Sequence, residues 1–180
     1  MSCTLWSRCL PACFAACCGI LPLAAQECDE YLDPKDMVSS FGPGFSTRLP
    51  DLVEHLGPPV LVWMYEDEAE LFPDCEYYEI YDYGAKRFSV CNGVAYIREI
   101  ILTGEEWIRF GQNIFSPRTN ITELEEVFPD SYAAKYPSRD EVEKTDYEIV
   151  SISSGPCFDN CFLLKFSQGY LVSVSFYIPD

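Results

Sequence analysis

Residues 87–102 read RFSVCNGVAYIREIIL. Asn92-Gly93 sits between two loosely alternating runs, and a two-residue hairpin turn favours this dipeptide because both turn positions need positive φ. The spacing predicts antiparallel strands over 87–91 and 94–102. Working upstream, 76–82 alternates imperfectly and 60–65 is a continuous apolar run, so two more strands precede the hairpin. Before them, Leu49, Leu52, Val53 and Leu56 recur at helical spacing in STRLPDLVEHLGPP. Thr47 reads as the helix cap, Pro50 is tolerable in the first turn, and Gly57-Pro58-Pro59 is a sharp stop.

The same order returns downstream. In TNITELEEVFPDS, Asn120 with Glu123 three residues later has the spacing of a capping box. Ile121, Leu124 and Phe128 repeat Leu49, Leu52 and Leu56 at an offset of 72. Strands are expected over 132–136, 147–153, 161–166 and 170–178. The last two join through Ser167-Gln168-Gly169, whose glycine stands 76 residues after Gly93. The drift from 72 to 76 is read as an insertion around 137–146. The expected fold is α+β: two tandem α-ββββ repeats forming a mostly antiparallel sheet, with the helices on one face. Joining the two sheets edge to edge would cover two edges that otherwise invite aggregation. The expected division is a signal peptide over 1–25, an acidic lead-in over 26–45, a first repeat over 46–102, a connector over 103–118 and a second repeat over 119–180.

Thr47-Arg48 followed by Leu52 and Leu56-Gly57, then a hairpin through Asn92-Gly93, resembles the helix-plus-four-strand unit of the beta-lactamase-inhibitor-protein fold. Small lipoproteins of the outer-membrane assembly machinery share that fold. The resemblance implies two units in tandem, each with one local disulfide, and a concave sheet face that clasps a target enzyme. It covers most of 46–178. Phe45-Ser46 stands where the family has Gly-Met, and Thr119-Asn120-Ile121 stands where a second Thr-Arg pair would fall. Beta-lactamase is therefore not carried over as the target.

Residues 1–25 hold one charge, Arg8, then an apolar run and the small pair Ala24-Ala25. This is the grammar of a secretory signal and is too short for a membrane span. Cleavage after Ala25 is one reading. The other is a lipid anchor on Cys17, from Phe14-Ala15-Ala16-Cys17. The expected location is periplasmic or extracellular, and five of the ten cysteines remain beyond the signal. An oxidising compartment makes disulfides their default state. Close spacing across hairpin-like stretches predicts Cys75 with Cys91 and Cys157 with Cys161, leaving Cys28 over.

The chain carries 29 acidic against 12 basic residues, a net charge of −17. That balance argues against nucleic acid and against an anionic membrane surface, both of which need a lysine and arginine surplus. A basic protein is the partner class left. The densest candidate surface is 65–83, YEDEAELFPDCEYYEIYDY, with eight carboxylates, six rings and no cation. Alternation puts Tyr77, Glu79, Tyr81 and Tyr83 on one face and Glu76, Tyr78, Ile80 and Asp82 on the other. Tyrosine suits binding hot spots and carboxylates steer cationic partners, so Tyr65, Tyr77, Tyr81 and Tyr83 are the expected anchors. Glu66, Asp67, Glu79 and Asp82 are their expected charge partners. The functional reading is an exported inhibitor or immunity-type protein that blocks a basic partner sterically. The alternatives are an envelope scaffold lipoprotein of the same fold and a hydrolase using paired carboxylates.

Catalysis has little to build on. His55 is the only histidine, and no G-x-S-x-G turn accompanies it. With no second close cysteine pair and only one histidine, a zinc tetrad is hard to assemble. No cofactor is expected. Calcium is a minor option through Glu66-Asp67-Glu68, or through Asp29-Glu30 with Asp33, without the EF-hand spacing.

Overall fold

The computed structural model describes residues 30–65, 75, 78–142, 144–156 and 159–178. The expected signal segment lies outside them. No helix among the described residues is long and apolar enough to cross a membrane.

A nine-stranded, antiparallel sheet dominates the α+β fold. Its first meander is β3 (Leu61–Tyr65), β4 (Tyr78–Asp82), β5 (Lys86–Cys91) and β6 (Val94–Ile101). Its second is β9 (Tyr136–Asp140), β10 (Thr145–Ser153), β11 (Cys161–Ser167) and β12 (Tyr170–Tyr177). The spatial order is β3-β4-β5-β6-β12-β11-β10-β9, so the meanders meet at β6 and β12. That seam pairs Ser173 with Ile101, Val174 with Ile100 and Ser175 with Glu99. Short β2 (Ser46–Arg48) shares the same edge of β6 further along, opposite 94–96.

Both glycine turns form as their sequences predict. Asn92 and Gly93 take φ of 49° and 77°, and Gln168 and Gly169 take 52° and 82°. Only glycine occupies that region freely, which is why it sits at the second position of each turn. Each hairpin then carries one extra residue on its outgoing strand. Phe88 faces Ile97 while Arg87 faces Glu99, and Lys165 faces Ser173 while Phe166 faces Leu171. The bulge resets alternation, so Ala95, Ile97 and Ile100 all reach one core, as do Leu171 and Val174.

That core lies on one side of the sheet, here the helix side. Phe88, Val90, Val150, Ile152, Phe162, Leu164 and Phe166 point into it from the strands. α1 (Leu49–Leu56) covers it with Leu52, which is fully buried. From the second half come Ile121 in the 3-10 turn Ile121–Glu123, Leu124 in α2 (Leu124–Val127) and Phe128, after which α3 (Pro129–Ala133) leads into β9. The two helical segments therefore share a side. A second, three-stranded sheet adds Met37, Ile108, Phe110 and Phe115 to the same core: β1 (Met37–Ser39), β7 (Ile108–Phe110) and β8 (Asn113–Phe115), in the order β1-β7-β8. Phe110 from this sheet meets Phe162 edge-on at 4.7 Å between ring centroids.

Several sequence expectations need correction. Thr47 is not a helix cap: 46–48 extend along β6, and Arg48 precedes the helix with no side-chain cap bond. Arg48 instead forms an ion pair with Asp51 at 2.8 Å. Residues 132–136 are not a strand, because Pro129 starts a further helical turn that runs to Ala133. The stretch read as an insertion is β9 and its turn into β10. The connector and lead-in are not plain linkers, since they supply the three strands of the small sheet. Asn120 does cap its helix, with the reciprocal bond from Glu123 in place.

The Cys75–Cys91 disulfide is present. The partner proposed for Cys157 is not: Cys161 is a free, buried thiol. Its side chain lies in the ladder between Ser153 and Tyr177 rather than in a loop facing a hairpin partner.

Candidate functional site

The candidate surface over 65–83 falls on the outermost hairpin of the sheet, β3 and β4. The register fixes its two faces. Val62 pairs with Tyr81 and Met64 with Glu79, and across β4 Tyr81 faces Phe88 while Glu79 faces Val90. Phe88 and Val90 belong to the main core, so Glu79, Tyr81 and Tyr83 lie on the helix side. Over Tyr78–Asp82 the alternation follows the one read from sequence, but the face with Glu79 and Tyr81 is not the uncovered one. Tyr81 and Tyr83 are half-buried and pack against the core. The Tyr83 ring stands perpendicular to Phe88 at 5.9 Å, and its hydroxyl is buried with no bonding partner. Burial raises the pKa of both phenols, with Glu79 adding to the effect on Tyr81. These two rings therefore act first as packing groups.

Asp82 faces the opposite, open side. There Arg87 bridges Asp82 at 3.2 Å and Glu99 at 2.9 Å, linking β4, β5 and β6. On the same side Tyr78 and Ile80 are buried in a small cluster with Cys75 and Cys91, flanked by Trp63 and Tyr96. The disulfide thus covers one corner of the open side. Tyr65 ends β3 opposite Tyr78. Glu66, Asp67 and Tyr77 lie outside the described residues, as do Cys28 and Cys157. The structure therefore divides Glu79, Tyr81, Tyr83 and Asp82 between the two sides and does not gather them into one patch.

Away from the disulfide corner, the open side carries exposed rings and aliphatics that the sequence reading did not select. Ile101, Tyr136 and Tyr177 are each about two-fifths to one-half exposed, at 39%, 43% and 48%. Lys165 lies over the Tyr147 ring at 3.8 Å on the neighbouring strands. Ser173, between Ile101 and Lys165, has a buried hydroxyl without a partner. Ile101, Lys165, Ser173 and Tyr177 could have been found by extending period-two alternation through β6, β11 and β12 after allowing for the bulges. Cys161 lies beneath Tyr177 on the same side, and burial raises its pKa even though Ser151 bonds it. A thiol held protonated in this way is a poor nucleophile.

Of the minor calcium candidates, Glu30 and Asp33 hold backbone groups, while Asp29 and Glu66-Asp67-Glu68 lie outside the described residues. The Glu30 carboxylate accepts the backbone N–H groups of Asp130 and Ser131, both at 2.8 Å, and so caps α3 from a distant part of the chain. Asp33 accepts the N–H of Lys35 at 2.9 Å and caps the turn Pro34–Asp36. Among the described residues no group of three acidic, cysteine or histidine side chains is placed to hold a metal ion. His55 is exposed in the last turn of α1, with its ring over Gly42. A Cβ at Gly42 would meet that ring at 3.3 Å, and Gly42 also has a φ of 98°.

Comparison of the chain with protein-family models, with curated proteins and with solved structures found no match in any of the three.

Proposed function

We propose that this chain is an exported acidic binding module that blocks a basic partner protein. The observation that carries the reading is the one-sidedness of the nine-stranded sheet. Both helical segments and the small sheet pack on one face, while the other presents Ile101, Tyr136 and Tyr177 to solvent. Large exposed rings on a rigid sheet provide contact area at little entropic cost. A net charge of −17 favours encounter with a cationic protein and repels anionic ones. We read the two halves as copies of one α-ββββ unit, in keeping with the resemblance to the inhibitor fold. The shared order of helix, four-strand meander and glycine-turned hairpin supports this reading, as do the bulges on the two outgoing strands.

Because Tyr81 and Tyr83 are tied to the core, the anchors move to Tyr136 and Tyr177. Asp82 and Glu99, which share Arg87, leave one net negative charge at the other end of the open side. Affinity capture of exported host proteins on the immobilised chain, at low and high salt, tests the reading. The expected result is a basic protein released by salt and weakened by Tyr177→Ala. Tyr81→Ala should lower stability more than affinity. Retention of an acidic partner, or of one indifferent to salt, would refute the proposal.

A further inference from the structure

We propose that β3 is a docking edge that takes up an extended segment of the basic partner as one more strand of the sheet. This rests on the reading above that the partner is a basic protein, and it specifies how that protein is held.

β3 is the outermost strand on its side of the sheet, bonded to β4 alone among the described residues. An edge strand offers every second backbone N–H and C=O outward, and natural sheets blunt such edges with charge, proline or a bulge. The far edge of this sheet obeys that rule. β9 reads Tyr136-Pro137-Ser138-Arg139-Asp140, and Arg139 is paired with Asp146 at 3.2 Å. β3 breaks the rule at every position. Residues 60–65 read VLVWMY, with no charge, proline or glycine. Val60, Leu61, Val62 and Met64 are exposed at 81%, 57%, 41% and 55%. They serve both sides of the strand, since Val62 and Met64 share the helix side with Tyr81 and Glu79 while Leu61 faces the open side with Asp82. One guarded edge and one bare edge in the same sheet mark the bare one as a used surface.

Charge selects the occupant. A second copy pairing with β3 would bring another net charge of −17. The nearest described carboxylates are Glu79 beside Met64 and Asp82 beside Leu61. A strand with an apolar centre and lysine or arginine at its ends complements both. In strand addition the main chain supplies affinity and the alternate side chains supply selectivity.

The test selects a random library of short displayed peptides on the immobilised full chain and maps the bound peptide by amide hydrogen exchange. Enriched peptides should alternate branched residues between basic ends, and they should protect the amides of 61–65. Val62→Lys and Met64→Lys should weaken them about tenfold or more, the size of a hot-spot loss. Ile114→Lys, which adds the same charge at an exposed site on β8, should leave binding nearly unchanged. Thermal melts confirm that each variant is folded. Basic peptides that protect β11 and β12 instead would overturn the edge and leave the open-side reading standing. Failure to enrich any basic peptide would overturn both. Sedimentation showing a dimer that Met64→Lys dissociates would assign the edge to a second copy and overturn the proposal.

Discussion

The two meanders solve the same packing problem with different fastenings. In the first, α1 runs unbroken for eight residues with no side-chain cap. Its strands are held from both sides, by the main core and by the cluster around the Cys75–Cys91 disulfide. In the second, the helix is divided into a 3-10 turn and two short α segments, and its ends are secured by Asn120, Glu123 and Glu30. Its strands rest on one core, which Phe162 joins to Phe45, Phe110 and Phe176. The half that carries the disulfide is also the one with the uncapped helix and the bare apolar edge. Without a disulfide among its described residues, the second half depends on ring packing, caps and a guarded edge.

The strongest challenge to this contrast is Phe162→Ala. It empties a fully buried site shared by both halves and should cost about 3–5 kcal/mol, read as a lower denaturant midpoint. A loss below about 1 kcal/mol would mean that the halves are stable independently of their shared rings. Next comes Cys75→Ser with Cys91→Ser, which opens a link between residues 16 apart and should cost about 3 kcal/mol. Hydrogen exchange should show protection falling in β3 to β5 before β10 to β12. Uniform loss would remove the distinction drawn here. The caps give a smaller and sharper comparison. Asn120→Ala should cost about 1 kcal/mol, whereas Thr47→Ala, at a position that caps nothing, should stay within about 0.5 kcal/mol.

The smallest effect is a pH dependence where the connector meets β5. Burial works to raise the Glu106 pKa, but the Lys86 ammonium at 2.6 Å and the backbone N–H and hydroxyl of Thr103 outweigh it and hold the carboxyl below its ordinary 4.5. A carboxylate with a lowered folded pKa adds stability above its unfolded value, and that stability disappears as pH falls through the folded one. Lys86→Met should flatten the stability profile below about pH 4.5 and leave its shape near neutrality unchanged. An unaltered acid limb would show that the pair contributes nothing.

Much of the main sheet could be read directly. Asn92-Gly93, Gln168-Gly169 and the Asn120–Glu123 box are local signals whose chemistry acts within a few residues, and all three form as read. The small sheet could not be read in this way. Its strands are three residues each, too short for a period to show, and β1 lies far in sequence from its partner β7. Thr47 failed as a cap because pairing with Ala95 draws it into a strand, a long-range effect that no local pattern records. The candidate site failed for a related reason. Alternation assigned Tyr81 and Asp82 to opposite faces, but whether a face meets a core or water depends on elements elsewhere in the chain. The bare edge was visible as an uncharged run, and only the strand order shows that it is outermost.

β12 comes after every other strand in the chain yet occupies the centre of the sheet, between β6 and β11. Anything that delivers the polypeptide from its N-terminus, a ribosome or a secretion pore, must release two unjoined flaps before the piece that zips them arrives. The finished architecture is thus postponed until β12 has emerged.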